Sequence, residues 1–169
     1  YPLRRQRQMC IRDSVSTLEP QLSCPQGVDN VYPISEVLGT PMDEVYIGSC
    51  TNGSLEDLKA AADILRGKKV ANHVRVIVVP ATNTVFKEAI EKGYIKDFIE
   101  AGCVISHPCC GLCCGMPYGL MYDDERILLT ANRNFIGRQG TKKTLGYLSS
   151  PAVAAATALT GVVTDPRTL

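Results

Sequence analysis

The chain has 169 residues, 45% hydrophobic and 21% charged, which fits one globular domain with a sizeable core. Its net charge of +1 gives no electrostatic case for a nucleic-acid or membrane-surface partner. No apolar run approaches the about 18 residues of a membrane helix.

The first segment reads as foreign. Arg5 to Ser14 (RQRQMCIRDS) matches, codon by codon, a translated transposon adapter of the kind used in sequencing libraries. The alternative is a native basic tail. Residues 1–14 are therefore set aside from fold reasoning, and Cys10 with them. On this reading the native sequence starts at about Val15, inside a longer gene. The N-terminus has no apolar stretch of the signal-peptide kind, so a cytoplasmic location is expected.

Residues 15–43 carry Pro20, Pro25, Gly27, Pro33, Gly39 and Pro41, the composition of an extended linker. Residues 44–169 then read as one α/β domain. Glu44 to Ser49 predicts a strand. Ser54 to Arg66 predicts a helix, with Ser54 as N-cap, Asp57 three residues on, and Leu55, Leu58, Ala62 and Leu65 on one face. Val74 to Val79 is β-branched and continuous, as in a strand buried on both sides. Helices are predicted over 84–92 and 94–101, closed by Gly93 and Gly102. Cys103 to Ser106 predicts a third strand, a Gly- and Cys-rich loop runs to about Tyr122, and Arg126 to Thr130 predicts a fourth strand. A closing helix spans 151–159, with Ser150 as cap and Pro151 in the first turn. The order β-α-β-α-α-β-loop-β-α predicts a three-layer α/β/α arrangement around a mainly parallel sheet.

Three polar, glycine-flanked loops then fall beyond carboxyl ends of strands, where open α/β sheets bind ligands. They are Gly48 to Gly53, Cys109 to Gly115, and Asn132 to Arg138. Four of the seven cysteines outside the first segment crowd into Cys109-Cys110-Gly111-Leu112-Cys113-Cys114. Clustering of this kind indicates a metal or redox site rather than a disulfide framework. One distant cysteine, Cys50, joined to a C-x-x-C pair, Cys110 and Cys113, fits an iron–sulfur cluster. Structural zinc remains open, because Cys109 or Cys114 could supply a fourth ligand. A thiol redox pair is a third reading, although such a pair should open a helix and here glycines and a proline follow. Inert buried thiols are the fourth. Arg133 and Arg138 have planar forks suited to carboxylates. As a lone motif they would be two solvated loop arginines, and the cysteine loop beside them gives an anionic substrate more weight.

The other candidates are weak. Gly140 to Thr144 lacks phosphate-loop spacing and reads as an exposed basic loop. His107 and His73 read as structural and surface residues. Cys24 and Cys103 read as small buried hydrophobes. Glu56, Asp57 and Asp63 read as a solvated helix face.

Ile47-Gly48-Ser49-Cys50-Thr51-Asn52 resembles the first cluster motif of the aconitase superfamily, and Pro108 to Gly115 (PCCGLCCG) resembles its second. Asn132-Arg133-Asn134-Phe135-x-Gly137-Arg138 is similar to its substrate loop. Leu18-Glu19-Pro20, Asp29-Asn30-Val31 and Tyr147 to Ala152 extend the likeness over residues 15–169. Within the superfamily the chain looks most like the family of 3-isopropylmalate dehydratase large subunits, with homoaconitase and 2,3-dimethylmalate dehydratase as neighbours. The resemblance implies a [4Fe–4S] cluster on Cys50, Cys110 and Cys113. It implies a 2-hydroxy di- or tricarboxylate substrate held by Arg133, Arg138, Asn132 and Asn52. It also implies a separate small swivel subunit that supplies the catalytic base, so this fragment alone would not turn over. Three departures stand out. Cys109 replaces a small residue often found there, Cys114 replaces an apolar one, and Gly115-Met116-Pro117-Tyr118-Gly119 replaces a common Gly-Gly-His-x-Gly.

Overall fold

A computed structural model describes residues 18–115 and 118–169. The adapter-like segment and the departures at Met116 and Pro117 lie outside the described residues.

The described chain forms a mainly parallel α/β sheet. Its strands are β1 (Gln21–Ser23), β2 (Val31–Pro33), β3 (Glu44–Gly48), β4 (Arg75–Val79), β5 (Val104–Ile105), β6 (Arg126–Leu129) and β7 (Leu145–Leu148). Their order across the sheet is β2-β1-β7-β6-β3-β4-β5. The five strands β3 to β7 run parallel to one another, while β1 pairs antiparallel with both β2 and β7. The helices are α1 (Ile34–Val37), α2 (Leu55–Leu65), α3 (Asn83–Glu91), α4 (Tyr94–Ala101) and α5 (Pro151–Thr160).

The strands and helices expected from residue 44 onward are present, with ends moved by at most one residue. The difference lies upstream. The segment expected to be an extended linker contributes β1, β2 and α1 to the domain, with Leu22 and Ile34 buried in the core. Three-residue strands are too short to show alternation, so prolines and glycines dominate their appearance in sequence. β7 was hidden in the same way, since Gly146 interrupts its apolar pattern.

Alternation along the central strands sorts the core into two sides. Val45, Ile47, Val76, Val78 and Leu128 face the helices, packing with Leu58, Leu65, Phe98 and the alanines of α5. Tyr46, Ile77, Val79, Ile127 and Leu129 face the other way. Their cover, among the described residues, is Leu112, Met121 and Ala131 rather than a helix. Two irregular segments make this third layer. One follows β5 through a 3-10 turn at Gly111–Cys114, and the other is the connection from β6 to β7. They run side by side, joined by a bridge between Met121 and Gly140 and by Met121 N donating to Gln139 O at 3.0 Å.

Candidate metal centre and anion site

Parallel pairing of β3, β4, β5 and β6 brings the loops after β3, β5 and β6 to one edge of the sheet. The first loop turns sharply at Gly48, whose φ is +105°. A Cβ there would collide with the Val79 carbonyl oxygen, so only glycine lets the chain cross the end of β4. Ser49 N donates to Val79 O at 3.1 Å, and Ser49 Oγ accepts from Asn52 N at 3.2 Å. Cys50 is left exposed at the tip.

The second loop seats its 3-10 turn on Tyr46. A Cβ at Gly111, where φ is +48°, would collide with the Tyr46 hydroxyl. That hydroxyl is buried without a hydrogen-bond partner among the described residues. Burial raises its pKa well above the usual phenol range, and the thiols of Cys109, Cys113 and Cys114 add to the effect. Cys110 and Cys114 are exposed, and Cys109 and Cys113 half-buried. The glycine-rich composition predicts plain loop here; the 3-10 turn forms instead, with Leu112 drawn into the core beneath it.

The third loop is held to the first. Asn52 Nδ2 donates to Asn132 Oδ1 at 2.8 Å and also to Thr130 O. Asn132 Nδ2 donates to Thr51 Oγ1 at 2.9 Å. Arg133 is exposed; Arg138 is half-buried, and its Nε has no partner among the described residues. Arg138 lines an open cavity of about 770 Å³ together with Cys114, Leu120, Tyr122, Phe135 and Ile136.

Sequence reasoning missed three supporting residues. Asn134 is buried, with Nδ2 at 2.8 Å from Cys24 O and 3.1 Å from Gly146 O, so it ties the arginine loop to β1 and β7. Gln139 Nε2 donates to Arg133 O at 2.9 Å. Thr130 bonds to Gly48. None carries a local signal: strand register brings Thr130 and Asn134 to their partners, and the folding of the loop on itself brings Gln139 to Arg133.

The thiols divide by environment. Cys24 and Cys103 are buried, and desolvation raises both pKa values, that of Cys103 to about 12. They remain neutral, as small core residues do. Cys50, Cys110 and Cys113 are free and at least partly open to solvent. As a donor set they fit an iron–sulfur core, which takes thiolates. Asn52 and Asn132 are brought together, and both cysteine loops lie at the same edge. The three expected thiols do not gather around a point: among the described residues, no three His, Cys, Asp or Glu side chains form a group able to hold a metal ion. A four-iron core has a different requirement, because each thiolate binds its own iron and the ligands stand apart by the width of the core.

A sequence profile of the aconitase family (aconitate hydratase) matches residues 35–161. The chain is 54% identical over 153 residues to the 3-isopropylmalate dehydratase large subunit 1 of Archaeoglobus fulgidus, covering 90% of this chain and 37% of that protein. It is 48% identical over 155 residues to the large subunit from Nitratidesulfovibrio vulgaris, covering 92% and 37%. It is 49% identical over 152 residues to that of Saccharolobus solfataricus, covering 90% and 36%. The chain thus spans a little over a third of the length of these relatives. With the profile covering most of the described residues and all three loops, the chain belongs to the aconitase family.

Proposed function

We propose that the chain is the cluster-bearing part of the large subunit of a hydro-lyase that interconverts 2-hydroxy dicarboxylic acids, with 3-isopropylmalate as substrate. The names of its relatives support that substrate over the homocitrate-type and dimethylmalate alternatives. The words 'large subunit' in those names also support a small subunit as partner. A place in leucine biosynthesis and action in the cytoplasm belong to the same proposal. The observation that carries the reading is the meeting of three loops at one sheet edge, two bearing accessible thiols and one bearing arginines.

Cys50, Cys110 and Cys113 would hold a [4Fe–4S] cluster, whose unligated iron supplies a Lewis acid for a leaving hydroxyl. Arg133 and Arg138 would grip substrate carboxylates. The half-buried position of Arg138 strengthens its charge-assisted bonds by limiting competition from water. Among the described residues, Asn52 Oδ1 and the second amide hydrogen of Asn132 have no partner in the Asn52–Asn132–Thr51–Thr130 bonds and would serve the substrate. The exposed apolar side chains of Leu120, Phe135 and Ile136 around the Arg138 cavity suit an alkyl substituent. The base that removes the proton would come from the small subunit. A zinc-stapled module would need four ligands around one ion, and the described residues do not offer such a group.

Anaerobic reconstitution with iron and sulfide tests the reading. The chain is expected to turn brown with broad visible absorption. Cys50→Ala and Cys110→Ala should lose the colour, while Cys103→Ala should keep it. A colourless chain, or a Cys50→Ala variant as brown as the parent, contradicts the proposal.

A further inference from the structure

The ladder between β3 and β6 ends where Tyr46 pairs with Leu129. One step further, a side chain takes over from the backbone. Gly48 N donates to Thr130 Oγ1 at 2.8 Å, and the same hydroxyl donates to Gly48 O at 3.3 Å. Thr130 N donates to Tyr46 O at 3.0 Å, and Thr130 O accepts from the side chain of Asn52. Thr130 is buried, as the core-facing end of a strand should be. It therefore touches the cysteine loop at three points, two of them at Gly48, two residues before Cys50. It also lies three residues before Arg133.

We propose that Thr130 is a positioning residue that fixes the cysteine loop against the arginine loop. The inference rests on the proposed function for its catalytic meaning, but its geometry does not depend on a cluster. Gly48 is the last residue of β3, paired with Val79 of β4 but lying past the end of the β6 ladder, so its N–H and C=O have no strand partner on the β6 side. The Thr130 hydroxyl satisfies both. Without it, two buried backbone groups lose their partner, and the loop gains freedom where Cys50 must be aimed. The Asn52–Asn132–Thr51 bonds then form a second clasp across the same gap. Together the two clasps set the separation between a thiol that would hold metal and an arginine that would hold substrate.

The test uses the full chain and three proteins: the parent, Thr130→Val and Thr130→Ser. Valine matches threonine in shape and removes the hydroxyl; serine restores it. Amide hydrogen exchange is followed by mass spectrometry without iron. Thr130→Val should speed exchange in 48–52 by about tenfold, the cost of an unsatisfied buried pair. Exchange in α2 should stay at the parent rate, and Thr130→Ser should return 48–52 toward the parent. After reconstitution, Thr130→Val should take up iron but show a shifted cluster midpoint potential, with Thr130→Ser again closer to the parent. Unchanged exchange in 48–52 overturns the proposal, as does a rise shared equally with α2, which would mark a general loss of stability. If the parent takes up no iron while the exchange pattern holds, the cluster reading fails and the positioning role stands.

Discussion

Glu44 and Arg75 open the neighbouring strands β3 and β4, and their ion pair spans 2.9 Å. The carboxylate is fully buried, and its Oε1 has no hydrogen-bond partner among the described residues. Desolvation outweighs the attraction of Arg75, and the Glu44 pKa rises from 4.5 to about 7. The folded chain thus binds this proton more tightly than the unfolded chain does. Stability from Glu44 is therefore full below pH 4.5 and is lost as pH rises toward 7, by up to about 3 kcal/mol. Glu125, which Arg75 holds below the usual range, acts in the opposite sense at more acid pH. Urea unfolding of Glu44→Gln between pH 5 and 8 should show a flatter pH dependence than the parent. A variant with the parent's slope would contradict this account. Legibility at this scale follows locality. Cys50, Cys110 and Cys113 stand out because thiol spacing is a local property of the chain, and Asn52 and Asn132 stand out within short polar loops. Thr130, Asn134 and Tyr46 look like ordinary strand and loop residues. Their partners lie 12 to 111 residues away in the chain or depend on which face a strand presents.

Among the elements, α2 joins local and tertiary signals most directly. Ser54 Oγ accepts from Asp57 N at 3.2 Å, while Asp57 Oδ2 accepts from Ser54 N at 3.1 Å. This reciprocal cap starts a helix whose buried face is Leu58, Ala61, Ala62 and Leu65. It also ends the Cys50 loop, so the cap holds one side of the site. Ser54→Ala should lower stability by about 1 kcal/mol, read as a reduced urea midpoint at unchanged slope. An unchanged midpoint would show that the cap is not needed. The spacing of leucines and the cap made this helix readable in sequence. β1 and β2 lacked any such pattern. They are three residues each, and they are fixed by pairing with each other and with β7 rather than by their own composition.

Across the whole molecule the two faces of the sheet are built differently. Helices cover one face with a continuous apolar core, while the other carries the 3-10 turn, the arginine segment and the cavity between them. The parallel order of strands follows from the alternation of strands and helices and was readable on that ground. The irregular third layer was not, because its packing depends on Leu112, Met121 and Ala131, which have no periodicity of their own. The functional loops therefore rest on the sheet edge, and among the described residues Tyr46, Thr130, Asn134, Gln139 and the Asn52–Asn132 pair tie them down. The most direct test is Mössbauer spectroscopy of the chain reconstituted with iron-57 and sulfide, before and after adding 3-isopropylmalate. About four irons per chain in one cluster are expected, with a single iron site changing when the acid is added. Iron bound without sulfide, or four sites that all ignore the acid, would contradict the proposed function.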